Sequence, residues 1–314
     1  MIVFGPVPSR RLGRSLGINN IPPKICSYSC VYCQLGRTIN MRIKREGFYK
    51  PEVLLEEVKN KLKEVEKNEK QVDYLTFVPD GEPTLDINLG KEIKELKRLG
   101  VKVAVITNAS LLWMETVRND LKNADYVSVK IDTVDEKIWK KVNRPYPFLK
   151  LDEVKKGIVK FREMFSGIFC TETMLMKKLN DNEKNIRENA VFISKLSPDK
   201  SYISIPIRPP AEKWVSTPDE ETINIAYHIF RENNLNVEYL IGYEGNEFVS
   251  TGDIEKDILS IASVHPIREE GMQSLLKKTN NSWDVVETLK NEKKIVEVKY
   301  KGKRFYIRNL SKRE

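Results

Sequence analysis

Through most of the chain, short runs of β-branched and other apolar residues alternate with longer stretches whose apolar residues recur three and four positions apart. The runs at 14–20, 74–78, 101–107, 125–131, 167–175 and 201–207 read as strands. The stretches between them read as amphipathic helices, as at 52–69, where Val53, Leu54, Val58, Leu62 and Val65 form one stripe among lysines and glutamates. A repeated β-α order predicts a parallel sheet. Six strands with five intervening helices place the chain in the α/β class, as an open, partial (β/α)6 barrel of TIM-like design. Two strands carry a polar face: Ser128, Lys130 and Asp132 alternate with Val127, Val129 and Ile131, and Ser204 and Arg208 with Ile203, Ile205 and Ile207. Helices cover the outside of a parallel sheet, so a polar inner face predicts a lumen that holds a ligand. There is no internal repeat and no low-complexity tract.

The alternation stops near Ser250-Thr-Gly-Asp253, which predicts one domain over 1–250 and a second over 251–314. The second reads as helices at 254–264, 268–279 and 282–290, the last with Ser282 as N-cap, then a hairpin of 295–300 and 304–308 around Lys301-Gly302-Lys303. Three helices and a two-stranded wing predict a small C-terminal winged-helix domain. Lys299, Lys301, Lys303, Arg304 and Arg308 make the wing cationic, as binding to a nucleic-acid backbone requires; a peptide-binding module and a purely structural one are the alternatives. Asp284 and Glu287, on the same helix face as Trp283, count against DNA.

Composition narrows the setting. Of 314 residues 40% are hydrophobic and 32% charged, and no apolar run reaches the roughly 20 residues that span a bilayer. The opening residues lack the basic-then-apolar pattern of a secretory signal, so the expectation is a reducing cytoplasm with no membrane contact. The net charge of +9 is uneven: residues 1–50 carry +8 and residues 290–314 carry +7, leaving −6 on the other 239. Two basic ends on a mildly acidic body point to an anionic partner.

Three of the four cysteines fall within eight residues, at Cys26, Cys30 and Cys33. Disulfide pairing leaves one thiol over and suits neither the spacing nor the compartment. Structural zinc needs a fourth ligand, and only Cys170, His228 and His265 remain, none in a second pair. Three thiolates on a [4Fe–4S] cluster leave one iron open to an external ligand. The C-x-x-x-C-x-x-C spacing, with Tyr32 before the last cysteine, resembles the radical SAM superfamily, whose core is such a partial barrel. The resemblance implies one [4Fe–4S] cluster on Cys26, Cys30 and Cys33, S-adenosyl-L-methionine on the open iron, and reductive cleavage to a 5′-deoxyadenosyl radical. It implies a place beside the adenine for Tyr32; simple packing over the cluster is the alternative.

Strand-end residues come next, because active sites of such barrels gather there. Asp80-Gly81-Glu82-Pro83-Thr84 matches the superfamily's Gly-Gly-Glu-Pro motif with Asp80 for the first glycine, implying that Gly81 and Glu82 engage the cofactor's amino group. Asn108 and Ser110 suit its carboxylate or ribose, or cap the next helix. Lys130 and Asp132 suit cofactor or substrate, or pair with each other. Glu172 and Cys170 share their facing and, with Lys130, are weak catalytic candidates; Cys170 equally reads as core. Arg208 suits a carboxylate or phosphate, or a rim salt bridge.

The segment Gly5-Pro-Val-Pro-Ser-Arg-Arg-Leu-Gly13, the Cys33-Gln-Leu-Gly-Arg-Thr38 run and Phe77-Val-Pro-Asp-Gly-Glu-Pro-Thr-Leu-Asp86 resemble a group placed loosely with tRNA wybutosine-synthesis-type and activating-type iron–sulfur oxidoreductases. A tryptophan-following-cysteine pattern and a second cysteine cluster are absent, which separates it from the wybutosine enzymes themselves. The resulting expectation is a radical SAM enzyme acting on RNA, with tRNA foremost, and fed by a donor such as flavodoxin or ferredoxin. The alternatives are radical modification or activation of a protein or peptide, and a non-enzymatic iron–sulfur redox sensor that binds nucleic acid.

Overall fold

The computed structural model describes residues 2–67, 71–240, 253–262 and 266–309. Its elements begin with β1 (Val3–Ser9), β2 (Gly13–Ile18) and a short parallel pair, β3 (Ile25–Cys26) and β4 (Asn40–Met41). They continue as α1 (Pro51–Glu66), β5 (Tyr74–Phe77), α2 (Leu89–Lys97), β6 (Lys102–Thr107), α3 (Glu115–Leu121), β7 (Tyr126–Lys130), α4 (Glu136–Val142) and α5 (Leu151–Met164). Then come β8 (Ile168–Met174), α6 (Glu183–Lys195), β9 (Lys200–Ser204), α7 (Glu220–Glu232) and β10 (Val237–Leu240). One sheet runs in the order β1-β2-β5-β6-β7-β8-β9-β10. Only the β1–β2 pairing is antiparallel; all later neighbours are parallel, and the sheet curls into a half-barrel.

All six expected strands are present, and β1 and β10 extend the sheet at its two edges. The alternation sorts side chains as the pattern requires. Leu75, Phe77, Val103, Val105, Val127, Val129, Phe169 and Ile203 face outward into the main core, where they meet Ile93 and Leu96 of α2, Ile158 and Phe161 of α5, and Ile186 and Ile193 of α6. Each such side chain contributes roughly 1.5–3 kcal/mol when fully buried, which fixes the register of every strand. The opposite face carries Ala104, Tyr126, Cys170, Tyr202 and Leu240, which pack with Leu12 as the floor of the lumen. Ser128 stands beside Cys170, and Lys130 beside Glu172 one step nearer the strand ends.

The C-terminal elements are α8 (Ile254–Ala262), β11 (Ile267–Arg268), α9 (Glu269–Lys278), α10 (Asp284–Asn291), β12 (Ile295–Tyr300) and β13 (Lys303–Arg308). Their three strands pair antiparallel in the order β11-β13-β12. Ile258, Ile261, Met272, Leu275, Val286, Leu289 and Tyr306 form a separate apolar core, with Val7 of β1 against it. Lys301 and Gly302 both take positive φ, 49° and 71°, as a two-residue hairpin turn that follows the strand twist demands. Ser282 is not the cap of α10: its hydroxyl donates to the Asp284 carboxylate (2.8 Å), and Trp283 occupies the cap position. The expected boundary at 250/251 and His265 lie outside the described residues.

Candidate active site

The three clustered cysteines sit on the connection from β2 to α1, and four other segments hold that connection in place. The Ile25 carbonyl accepts from Glu82 N (3.1 Å), and Lys24 N donates to the Asp80 carbonyl (2.7 Å). Gly81 is required at this crossing, because a Cβ there would lie 1.9 Å from the Ile25 oxygen. Ser27 and Ser110 share a 2.5 Å hydroxyl hydrogen bond. Val31 N donates to the Val142 carbonyl (2.9 Å), and Glu212 N donates to the Val31 carbonyl (3.0 Å). Arg37 donates to both oxygens of Glu212 (2.9 and 3.0 Å), and Arg144 reaches the same carboxylate (2.5 Å).

So fixed, Cys26, Cys30 and Cys33 line one cavity of about 270 Å³ at the C-terminal ends of the strands. Tyr32, Gly81, Glu82, Asn108, Lys130, Glu172 and Arg208 line it too, with Arg11, Lys24, Asp80 and Ser204. Ser110, Asp132 and Cys170 do not. Ser110 stands behind the wall, where it pins Ser27. Asp132, 3% exposed, accepts from Tyr32 Oη (2.5 Å), Asn143 Nδ2 (2.7 Å) and Met174 N (3.0 Å), and so orients Tyr32 from behind. Cys170 lies in the apolar floor, 1% exposed, which is the core reading. Asn108 does not cap a helix, since α3 begins only at Glu115; its amide donates to Ser27 Oγ (3.0 Å) and Cys26 Sγ (3.5 Å).

Lys130 does not pair with Asp132. Its ammonium binds Glu172 Oε1 (2.9 Å) and lies 5.3 Å from the centre of the Tyr32 ring. Arg11 takes the other Glu172 oxygen (2.6 Å), and Ser204 Oγ donates to Oε1 (3.0 Å). Burial works against ionisation of Glu172, yet the two cations and Ser204 pull its carboxyl down to about 2. The far wall therefore carries two cations around one carboxylate. Arg208 meets Gln34 Oε1 at 2.8 Å. Glu82 is 1% exposed: Oε1 accepts from Thr84 N (3.2 Å), Thr84 Oγ1 (2.6 Å) and Thr107 Oγ1 (2.6 Å), and Oε2 from Asn108 N (2.8 Å). Burial nevertheless raises its pKa.

Burial likewise raises the three thiols, Cys30 to about 12, so they are protonated near neutral pH, and binding a metal there would have to displace the proton. Among the described residues no three His, Cys, Asp or Glu side chains are placed around a single metal ion. A cubane cluster asks for something else, because each thiolate takes a different iron and the sulfurs stand apart. Three soft donors on one wall fit that group, as do the amides of Asn108 and Asn143 at 3.5 Å from Cys26 Sγ and Cys30 Sγ. Asn143 and Glu212 are the functional neighbours that the sequence did not single out.

A strand-end cavity with three clustered thiols in a half-barrel defines the class. The radical SAM superfamily's sequence model matches residues 20–190, and the chain belongs to that superfamily of enzymes, which use a [4Fe–4S] cluster and S-adenosylmethionine. Within it, the chain is 48% identical over 315 residues to "UPF0026 protein MJ1312" of Methanocaldococcus jannaschii, covering 100% of this chain and 98% of the relative. Among solved structures it is similar in fold to TYW1 with a lysine-pyruvate adduct bound (TM-score 0.54, 15% identity, 70% of this chain and 74% of that one). It is also similar in fold to Streptococcus suis SuiB bound to precursor peptide SuiA (TM-score 0.53, 15% identity, 71% of this chain and 48% of that one). No helix among the described residues is long and apolar enough to cross a membrane.

Proposed function

We propose that Cys26, Cys30 and Cys33 hold one [4Fe–4S] cluster, that S-adenosylmethionine lies between them and the strand ends, and that the substrate is an RNA, tRNA foremost. The observation that carries this is the convergence of the three thiols and the Gly81–Glu82 segment on one cavity. When bound, the two groups supply reductive cleavage and a 5′-deoxyadenosyl radical that abstracts hydrogen from the substrate. The chain itself supplies placement. Glu82, Asn108 and Tyr32 form the cofactor wall, with Ser110 and Asp132 holding two of them from behind; Lys130 and Arg208 face the bound groups. Lys130 and Glu172 are committed to each other, so neither is assigned the chemistry, and Cys170 is off the cavity.

We read the C-terminal elements as a winged helix, in a second domain beginning near 251. Its hairpin tip supports delivery of a bound substrate to the cavity. Tyr300 Oη donates to the Pro206 carbonyl (3.0 Å) and Lys301 Nζ to Thr217 Oγ1 (2.7 Å), on the segment whose Ile205, Ile207 and Arg208 line the cavity. One observation favours a peptide instead: Arg304 pairs with Glu269 (2.9 Å) and Lys303 with Glu270 (3.3 Å), which neutralises part of the basic wing. The tests separate these. Anaerobically reconstituted protein with dithionite and S-adenosylmethionine yields 5′-deoxyadenosine, and Cys30→Ala abolishes it; equal behaviour of the two sinks the radical reading. Bulk tRNA binding weakens with salt, and Lys301→Ala with Lys303→Ala and Arg304→Ala lowers the salt slope by about one unit for each phosphate no longer neutralised. Salt-insensitive binding turns the reading to the peptide. Mass spectrometry of cellular tRNA with and without the gene then names the product.

A further inference from the structure

Beside the cysteine loop, at the rim of the cavity that Tyr28 and Thr38 help to line, three segments meet at one knot. Arg37 and Arg144 share the Glu212 carboxylate, and Thr38 Oγ1 donates to the Tyr28 carbonyl (2.6 Å) while Tyr28 bridges to Pro145. Close to the knot in sequence, each segment exposes a large apolar side chain: Ile39 is 82% exposed, Phe148 79% and Trp214 52%. Segments 35–46, 140–150 and 211–217 together hold nine Lys and Arg against two Glu, and with Asp120 and Glu136, which pair with Arg45 and Lys140, counted too, an excess of five cations is left. None of the three apolar residues lines the cavity.

The face also lies close to the sulfur atoms. The Phe148 ring packs on Tyr146 with centroids 5.7 Å apart, and Tyr146 packs against the Tyr28, Trp139 and Leu149 cluster that Cys26 and Cys30 join. Two layers of side chains, Tyr146 and then the Tyr28–Trp139 cluster, therefore separate the exposed Phe148 ring from two of the thiols. Electron tunnelling decays steeply with distance, and this chain of aromatic side chains gives a docked carrier a short path to the thiols.

We propose that this face docks an acidic one-electron carrier protein of the flavodoxin or ferredoxin class, an inference that rests on the reading that Cys26, Cys30 and Cys33 hold the cluster. Large exposed apolar residues on segments with an excess of cations match a protein interface with a charged rim, and the sign of that charge selects an acidic partner. One electron leaves the carrier, oxidising it by one, and enters the cluster, reducing it by one; no bond forms or breaks in the transfer.

The test compares two reductants on the reconstituted holoenzyme, wild type against Phe148→Glu with Lys213→Glu. Dithionite is small and needs no docking face; reduced flavodoxin, regenerated by its reductase, does. Expected are an unchanged 5′-deoxyadenosine yield with dithionite, a flavodoxin-driven rate lower by about tenfold, and a flavodoxin Kd by calorimetry weaker by a similar factor. An unchanged flavodoxin rate and Kd overturn the proposal, and so does an equal loss with both reductants. If the variant instead loses tRNA binding while flavodoxin still drives it, the face belongs to the RNA and the proposal falls. Absence of product with dithionite in the wild type would indict the cluster reading, and the flavodoxin Kd would still decide the docking face.

Discussion

Glu92 is a carboxyl that the fold buries without a hydrogen bond of good geometry. It sits in the first turn of α2, 1% exposed, and neither oxygen has a hydrogen-bond partner. Its polar surroundings are Asp86 and Asn20, both 0% exposed; Asn20 spends its amide on the Pro83 carbonyl (3.1 Å), and Asp86 Oδ1 accepts from Asn88 N (2.8 Å). Burial first, then the Asp86 charge, push Glu92 from 4.5 up to about 9, against a smaller downward pull from the Asn20 amide. Burial pushes Asp86 up to about 7. The sign follows from proton counting. Between the unfolded and folded values the unfolded chain has lost the proton and the folded one keeps it, so stability falls as pH rises. Each pH unit in that window costs about 1.4 kcal/mol, and the step from pH 7 to pH 8.5 costs roughly 2 kcal/mol. Asp86 has largely ionised by then, so the upper window belongs to Glu92. Glu92→Gln keeps the shape and removes the titration. Urea unfolding of both proteins at pH 7, 7.5, 8 and 8.5 should show the wild type losing about 2 kcal/mol more than the variant. Because the cysteines titrate alike in both, the difference isolates Glu92. Parallel pH profiles would refute the reasoning.

Three further outcomes follow from interactions on the same framework. Gly81→Ala forces the cysteine loop off the strand-end motif, since its Cβ would meet the Ile25 oxygen at 1.9 Å; the expected loss is about 1–3 kcal/mol with less iron retained on reconstitution, read by thermal unfolding and iron analysis. Glu172→Gln strands Lys130 and Arg11 in the cavity wall and should cost about 3–5 kcal/mol near neutral pH. Its folded value is about 2 against 4.5, so the wild-type advantage persists above pH 4.5 and fades only as pH falls toward 2, which acid titration of both proteins would reveal. Tyr300→Phe removes the hydrogen bond to Pro206, worth about 1 kcal/mol, and faster amide exchange across 205–217 is the expected readout; unchanged exchange would mean the hairpin tip does not steady that segment.

Periodicity located six strands because each is a compact β-branched run, and it assigned inner and outer faces because helices cover one side only. It failed at β1, where Pro6 and Pro8 argue against a strand; an edge position, with a bulge between Phe4 and Val7, tolerates them. The four residues of β10 are too short to announce themselves. Spacing found the cysteines, and a motif found Gly81 and Glu82, because both are local. Depth was not legible. Tyr126, Cys170 and Lys130 share one face, yet the first two fill the floor and only Lys130 reaches the cavity. Glu212 stayed hidden because its partner Arg37 is 175 residues away, and Asn143 because it meets Cys30 across 113. Such pairs arise where loops cross, and no periodic signal records a crossing.

The charge at the two chain ends resolves in the same way. Much of the +8 of residues 1–50 is paired within the chain: Arg11 with Glu172, Lys24 with Asp80, the exposed Arg37 with Glu212, and Arg45 with Asp120. These pairs fasten the cysteine loop and the strand ends, so their job is positional. At the other end Lys303 and Arg304 pair with Glu270 and Glu269, and Lys294 with Glu292. A field that steers a partner must come from cations in excess over their local carboxylates. By that measure the hairpin is weaker than its composition suggests, and the stronger source is the surface beside the cysteine loop, assembled from segments more than 60 residues apart. Net charge per segment of sequence therefore ignores the carboxylates that the fold brings to each cation, whereas charge summed over a surface counts them.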